Sequence, residues 1–220
     1  MRTPLASVPA ADTRERLLEA AGQVFSEKGF RAATVREIVQ EAGANIAAVN
    51  YHFRDKEGLY AAVLEHFARE AVAKYPAHGG LPPDSPPEEQ LRAFVRAFLR
   101  RVFDKGHQSF HGKLMAREMI EPTRALDRIV EQVIRPMYGR LCSIVKRLAG
   151  PRATLAQVEA SAKSVVGQCL FYKHCSPVLE RLEGRRPDLR DLDGLADHIF
   201  AFSLEGLRGF AAPPRRATRR

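Results

Sequence analysis

The feature that most constrains the fold is the stretch TVREIVQEAGANIAAVNYHFRDKEGLY, residues 34–60. Thr34, followed three residues later by Glu37, is the pattern of a capping box, and the helix that begins there is short because Gly43 ends it. Asn45 is a suitable N-cap for a second short helix. Helices this short are unstable alone, so neighbouring helices must hold them, and the stretch predicts a helix-turn-helix.

The second short helix carries small residues where a buried helix would carry leucine. In a helix-turn-helix this helix enters the major groove, and small side chains let it approach the base edges. Asn50 can form two hydrogen bonds with adenine, Tyr51 and His52 have polar tips suited to phosphates, and Thr34 and Lys56 are expected to bind further phosphates. The alternative is a small three-helix core without a DNA-binding role. The predicted DNA-binding residues are Thr34, Asn45, Ile46, Ala47, Ala48, Asn50, Tyr51, His52 and Lys56.

The remaining chain favours an all-α protein. Of the 220 residues, 45% are hydrophobic and 28% charged, and no stretch shows the sustained alternation typical of strands. The segment PAHGGLPPDSPP, residues 76–87, predicts a loop. Further helices are predicted at about 87–104, 108–120, 123–149 with a kink at Pro136, 154–175 and 189–210.

The charge distribution matters more than the net charge of +9. Acidic and basic side chains balance within residues 12–56, so total charge is not the evidence for DNA binding. The basic tail PPRRATRR adds long-range attraction to DNA or is simply solvated. Non-specific nucleic-acid packaging through the basic ends is a rival hypothesis, and the balanced segment argues against it.

The stretch HQSFHGKLMAREMIE places His107, His111 and Glu118 on one helix face. Two histidines with a carboxylate could bind a divalent ion, so a metal-dependent all-α enzyme is a second rival. Such groups more often form hydrogen bonds, and Arg117 with Glu118 is expected to form an ion pair. The chain also lacks a P-loop and a Ser-His-Asp framework. We therefore predict a non-enzyme with no metal and no cofactor.

The strongest evidence for function is a set of residues at characteristic spacing: Phe25, Gly29, Phe30, Thr34, Val35, Ile38, Ala42, Gly43, Tyr51, His52, Phe53, Lys56 and Leu59. Through this set, residues 13–60 resemble the DNA-binding domain of the TetR family of transcriptional regulators. The chain departs from the family pattern at Ala44, usually valine, and at Asn50, usually tyrosine. ANIAAVNYHF and the RE…EPT frame within residues 111–150 resemble the CecR-like branch. The resemblance covers residues 13–150 well and the last two helices in outline.

This resemblance implies a ligand-responsive repressor that leaves a palindromic DNA operator when a small molecule binds. The implied assembly is an Ω-shaped homodimer, joined by a four-helix bundle of the last two helices. We expect disordered ends at 1–11 and 212–220, a helix-turn-helix domain at 12–58 and a helical ligand-binding and dimerisation domain at 59–211. No segment has the length of apolar sequence that a membrane span or a secretory signal requires. The three cysteines have no C-x-x-C spacing, and we expect them to be reduced thiols. The expected location is the cytoplasm.

Two sets of residues are assigned to the second domain. The first set consists mainly of apolar residues at helical spacing, which are either core residues or ligand contacts. The second set combines small and apolar residues, which allow close helix packing either against a partner or within the monomer's own core. The predicted ligand-pocket residues are Phe94, Phe98, Phe103, His107, Phe110, His111, Met115, Glu118 and Met119. The predicted dimer-interface residues are Leu155, Val158, Ser161, Ala162, Val165, Val166, Gln168, Cys169, Phe171, Tyr172, Ile199, Phe202 and Leu207.

Overall fold

The computed structural model describes residues 10–104, 109–184 and 191–211. The predicted disordered ends therefore lie outside the described residues, except that residues 10 and 11 already belong to the first helix. The side chains of residues 10, 11, 109, 111 and 211 are also outside this description.

Helices account for all the regular secondary structure in the described ranges, which confirms the predicted all-α fold. Within those ranges, none of the helices combines the length and the apolar character that crossing a membrane requires. The helices are α1 (Ala10–Ala32), α2 (Val35–Glu41), α3 (Ile46–Phe53), α4 (Lys56–Lys74), α5 (Pro87–Phe103), α6 (Ser109–Ile120), α7 (Ala125–Ile129), α8 (Arg135–Ala149), α9 (Leu155–His174), α10 (Ser176–Glu183) and α11 (Leu192–Ala211).

Two compact units divide the chain, and each draws on two segments. Unit one comprises Met1–Ala71 and Lys105–Val133, and unit two comprises Val72–Asp104 and Ile134–Arg220. The helix-turn-helix therefore shares a compact unit with α6 and α7, and α4 is a continuous helix whose last three residues belong to unit two. The predicted boundary at residues 58 and 59 remains a prediction about a separate DNA-binding domain.

Unit one is built around α1, which contacts α2, α3 and α6. The regular helix is interrupted at Gly29, whose φ of +80° favours glycine. The core is aromatic at its centre: the rings of Phe25 and Tyr60 meet edge to face with centroids 4.9 Å apart. Leu17, Ile38 and Val49 are fully buried beside them. These apolar positions come from α1, α2, α3 and α4, so packing of all four helices stabilises the two short ones.

Unit two is a helical bundle in which α5, α8, α9 and α11 contact one another. Its core is a single cluster of buried aliphatic and aromatic side chains, including Leu91, Phe94, Leu141 and Ile199. The long helical region predicted at 123–149 runs without a break from residue 125 to residue 149, but its α-helical hydrogen bonding changes along the way. A π-helical segment, Val130–Ile134, precedes α8. Pro136 explains this irregularity, because it lacks the N–H group that an α-helix would pair with the carbonyl of Gln132.

Candidate nucleic-acid interface

The two short helices have the caps that the sequence predicts. The Thr34 hydroxyl accepts a 3.2 Å hydrogen bond from the Glu37 backbone N–H, and the Thr34 N–H donates to the Glu37 carboxylate at 3.0 Å. The Asn45 side chain accepts from the Ala48 N–H at 2.9 Å. On α3, Val49 and Phe53 are buried and hold the helix against the core of unit one. The helix-turn-helix is therefore confirmed as a structural element.

Arg16 of α1 fixes the turn between α2 and α3. Its guanidinium donates to the carbonyls of Ala42 at 2.8 Å and Gly43 at 3.4 Å, where α2 ends. These bonds satisfy carbonyls that have no partner within the helix. The sequence gives no signal for this role, because Arg16 resembles any charged residue beside an apolar helix face and its partner Ala42 lies 26 positions away.

Most of the predicted DNA-binding side chains of α3 lie on its outward face. Tyr51 is 81% exposed and Ile46 is 52% exposed, and Ala47 and Asn50 are also exposed. These side chains add little to the core of unit one, and their exposure leaves them available to an external partner. Asn45 is exposed beside them, whereas Ala48 and His52 are half-buried at the edge of the face. His52 packs edge to face against Tyr51, with ring centroids 4.9 Å apart.

An exposed ion pair supports the start of α2. Lys28 Nζ lies 2.7 Å from a carboxylate oxygen of Glu37. The hydrogen bond from Lys28, followed by those from Thr34, lowers the pKa of Glu37 to about 2. Glu37 is therefore ionised throughout the neutral range, and its negative charge at the N-terminus of α2 is favourable for the helix dipole.

Lys56 was predicted to bind a phosphate, and the structure gives its ammonium group an internal partner as well. Lys56 Nζ donates to the Arg31 carbonyl at 3.2 Å and lies 4.8 Å from the centre of the Phe30 ring. Lys56 thereby joins the start of α4 to the end of α1. Its contact with DNA, like that of Thr34, whose hydroxyl caps α2, remains a prediction.

The connection from α3 to α4 is tight. Arg54 adopts a φ of +73°, a region that disfavours L-residues, and its N–H donates to the Asn50 carbonyl at 3.1 Å. Asp55 caps α4 by accepting from the Gly58 N–H at 2.7 Å. A Cβ atom on Gly58 would collide with the Phe53 carbonyl oxygen. The glycine thus permits the close approach that sets the orientation of α3 relative to α4.

A buried polar network lies beneath this region of unit one. The Tyr60 hydroxyl of α4 donates to Glu118 of α6 at 2.8 Å, and the Thr123 N–H donates to the same carboxylate at 3.0 Å. Arg117 donates instead to the α1 carbonyls of Ser26 at 3.3 Å and Glu27 at 2.7 Å. The prediction of an Arg117–Glu118 ion pair is therefore wrong. Neighbouring residues on a helix point in different directions, so Arg117 binds α1 and Glu118 binds Tyr60 of α4.

The predicted ligand-pocket residues divide between the two units. Phe94, Phe98 and Phe103 belong to unit two, where Phe94 and Phe103 are buried and Phe98 stacks on Phe94 with centroids 6.2 Å apart. In unit one, Phe110 packs on Phe67 and Glu118 is buried. Met115 is half-buried and Met119 is mostly exposed. Their ligand contacts remain a prediction, and His107 and the side chain of His111 lie outside the described residues.

The predicted dimer interface needs a correction. Six of its residues are at most 3% exposed and lie in the core of unit two, so they have no surface left to offer a partner. Leu155, Phe171 and Phe202 are exposed, while Ser161, Val166, Gln168 and Tyr172 are half-buried. The six residues removed from the interface are Val158, Ala162, Val165, Cys169, Ile199 and Leu207.

Among the described residues, the histidine, cysteine, aspartate and glutamate side chains form no group of three or more that could hold a metal ion. Glu118, the described member of the rival metal site, already accepts hydrogen bonds from Tyr60 and Thr123.

Two family models match the chain. Residues 17–63 match the N-terminal domain of bacterial regulatory proteins of the tetR family, which spans the helix-turn-helix described above. Residues 87–207 match the C-terminal domain of the HTH-type transcriptional dual regulator CecR. The second match covers more than half of the chain, and it confirms the resemblance to the CecR-like branch.

Relatives and solved structures agree with these matches. The chain is 27% identical to the HTH-type transcriptional dual regulator CecR of Shigella flexneri over 189 residues, covering 79% of this chain and 81% of the relative. It is 36% identical to a probable HTH-type transcriptional regulator, YttP, of Bacillus subtilis, but over only 29% of this chain and 28% of that protein.

Solved structures support the fold. A tetR-family regulatory protein from Rhodococcus RHA1 matches with a TM-score of 0.66 and 20% identity, covering 89% of this chain and 96% of the other. A TetR-family regulator from Streptomyces coelicolor matches with a TM-score of 0.65 and 18% identity, over 90% and 97% of the two chains. Regulators of this family bind operator DNA and act as dimers. The chain belongs to the TetR family of DNA-binding transcriptional regulators, and its C-terminal part is a domain of the CecR type.

Proposed function

We propose that this regulator is a repressor that binds a palindromic operator as a homodimer and leaves it when a small molecule binds. The observation that carries the proposal is the outward face of α3, where Ile46, Ala47, Asn50 and Tyr51 are exposed together. The opposite face of this helix is buried against the core of unit one. A rigid helix with small and polar residues outside is the geometry that reading a major groove requires.

Dimerisation is part of the proposal, because one recognition helix reads only a few base pairs. The exposed residues Leu155 and Phe171 of α9 and Phe202 of α11 provide an apolar surface on unit two. Gln168 of α9 donates to the Ser203 hydroxyl of α11 at 3.1 Å, which joins the two helices into one surface. An apolar surface shared by two helices suits an isologous interface between two copies of the chain.

Release by a ligand requires that a change in unit two reaches α3. Helix α4 is the candidate relay, because it begins beside α3 and its last three residues belong to unit two. Within unit one, Tyr60 connects α4 to α6 through Glu118, and Arg117 connects α6 to α1. A ligand that favours one position of α4 would shift the population between DNA-binding and non-binding states, in proportion to its difference in affinity for the two.

The test is a selection of binding sites from random duplex DNA with the full chain at near-physiological salt. We expect enrichment of a two-fold symmetric sequence, with half-sites separated by about one turn of DNA. A reporter gene placed behind that sequence should be silenced by the protein. Enrichment of no sequence would refute operator recognition, and reporter activation by the protein would refute the repressor assignment.

A further inference from the structure

Arg101 is a buried cation in unit two whose charge has no counter-ion among the described residues. Arg101 lies in the last turn of α5 and is 6% exposed. Its Nη1 atom donates to the Tyr75 carbonyl at 2.6 Å, which is a neutral acceptor. Its Nη2 atom is buried without a hydrogen-bond partner in the described structure.

The other arginines of α5 do form ion pairs, although their side chains are far more exposed than that of Arg101. Arg92 and Arg96 pair with Asp197 at 3.4 and 3.1 Å, and Arg100 pairs with Asp193 at 3.0 Å. Carboxylates therefore pair with the solvent-exposed arginines of α5, where an ion pair contributes little stability, and none of these carboxylates pairs with the buried Arg101. A buried charge is normally paired and hydrogen-bonded, so this arrangement needs an explanation.

The surroundings of Arg101 do not neutralise it. Burial lowers the pKa of Arg101 to about 10, so the guanidinium stays charged at neutral pH. Burial raises the pKa of the adjacent Cys169 thiol to about 12, so this thiol is neutral and cannot be the counter-ion. The Phe98 ring lies 5.7 Å from the guanidinium carbon and offers an apolar contact.

A second cation, which belongs to α9, lies near the C-terminal end of α5. Lys173 of α9 follows Cys169 by one helical turn, and its ammonium group lies 5.5 Å from the centre of the Phe103 ring. Positive charge thus comes from both α5 and α9, while aromatic rings supply the neighbouring apolar surface. Arginine in an apolar environment is the side chain best suited to hold a carboxylate, because its planar fork donates in the geometry that a carboxylate accepts.

We propose that the effector of this regulator is an organic monoacid whose carboxylate accepts hydrogen bonds from Arg101 and whose apolar body packs on Phe98. The inference rests on the proposed function, because it names the chemical class of the releasing molecule. One negative charge balances one buried guanidinium, and this balance favours a monoacid over a phosphate dianion. Occupation of Arg101 would also change its bond to the Tyr75 carbonyl, which lies directly after the end of α4.

The test uses the full chain without DNA and follows its Tm with sodium benzoate, benzamide, sodium acetate or sodium phosphate, each matched in ionic strength with sodium chloride. We expect benzoate to raise the wild-type Tm by more than about 2 °C, acetate less, and benzamide not at all, because a ligand that binds only the folded state stabilises it. Equal shifts with phosphate would overturn the carboxylate class, and no shift beyond chloride would overturn the site.

Two variants locate the effect. Arg101→Gln should keep or raise the Tm without ligand, since it removes an unpaired buried charge, and should lose the benzoate shift. Arg100→Gln, on the exposed face of the same helix, should keep that shift. If Arg101→Gln does not fold, Arg101→Lys should still show a weakened shift, because it keeps the charge but loses the fork. An unchanged shift in either Arg101 variant would place the anion elsewhere.

The selection of DNA binding sites and the Tm measurements with benzoate test the two proposals independently. A benzoate shift without operator binding would refute the repressor proposal and leave the anion site intact. Operator binding with no benzoate or acetate shift would refute the anion site and leave the repressor proposal intact.

Discussion

The Tyr60 hydroxyl of α4 donates a 2.8 Å hydrogen bond to the buried carboxylate of Glu118 on α6. Burial, and then the hydrogen bond to Glu118, raises the pKa of Tyr60, so the hydroxyl remains a donor across the physiological range. The pair crosses from one helix to another within unit one, 58 positions apart in sequence. It therefore fixes the packing of α6 on the helix that begins beside α3.

Tyr60→Phe should destabilise the protein by about 1.5–3 kcal/mol, because it removes one hydrogen bond to a buried charged acceptor while keeping the ring. The measurement is the free energy of unfolding in urea. Tyr51→Phe is the matched control, since that side chain is exposed on the outward face of α3 and loss of its hydroxyl should leave stability unchanged. Equal stability of the two variants would mean that Thr123 alone satisfies Glu118.

Glu37→Gln should lower the Tm at neutral pH and leave it unchanged in strong acid. Glutamine keeps the capping-box hydrogen bond but loses the ion pair with Lys28. The folded pKa of Glu37 lies near 2, below its usual value of 4.5. Its contribution is therefore complete above pH 4.5 and is lost as the pH falls from 4.5 towards 2.

The check is a series of Tm measurements against pH for both proteins, with Glu41→Gln as a control on the same helix. The difference between wild type and Glu37→Gln should narrow below pH 4.5. The pair is exposed, so the effect should be small and should shrink further in high salt. A difference that is constant from pH 7 to pH 2 would contradict this role of the Glu37 charge.

Gly58→Ala should destabilise unit one by about 1–3 kcal/mol, the usual cost of overpacking, because the new methyl group collides with the Phe53 carbonyl. Operator affinity should fall as well, since the collision shifts α3 relative to α4. Gly139→Ala is the control: apart from its chain neighbours and the adjacent backbone of α8, no atom lies within 4 Å of the added Cβ, so alanine should stabilise α8 by about 0.5–1 kcal/mol. Urea unfolding and DNA titration measure both effects, and wild-type affinity in Gly58→Ala would show that the turn is adaptable.

Much of the helix-turn-helix could be predicted because its determinants are local. Thr34 with Glu37, Asn45 and Asp55 each cap a helix through hydrogen bonds to residues three positions away, so the sequence shows both partners at once. Arg16, Tyr60 and Arg117 could not be predicted in the same way. Their partners are separated from them by 26 to 91 positions, and only the tertiary fold brings the partners together.

The dimer interface shows a second limit. In α9 the spacing of Val158, Ala162, Val165 and Cys169 correctly indicates a buried stripe, but periodicity does not say which surface buries it. The structure places that stripe in the protomer's own core and leaves Phe171 outside. Arg101 illustrates the same limit for charge, since its sequence neighbours give no sign that it is the buried arginine of α5.

Phe202→Asp should dissociate the proposed dimer. Phe202 is 68% exposed on α11, and an aspartate there would bury an unpaired charge in the interface. We expect the dimer Kd to rise by more than about 100-fold, as sedimentation equilibrium would show. Ile120→Asp, an 80% exposed residue of α6 in unit one, is the control and should leave the dimer intact. A dimer unaffected by Phe202→Asp would move the interface away from this part of α11.

Asn50→Ala and Tyr51→Phe should weaken operator binding in two different ways. Asn50 is predicted to read a base, so its loss should cost about 1–3 kcal/mol and relax the preference at one base pair of each half-site. Tyr51 is predicted to bind a phosphate through its hydroxyl, so its loss should weaken binding to every sequence alike. Fluorescence anisotropy with single-base variants of the selected site separates the two patterns. A uniform loss in Asn50→Ala, or a loss at one base pair in Tyr51→Phe, would exchange the roles of the two side chains on α3.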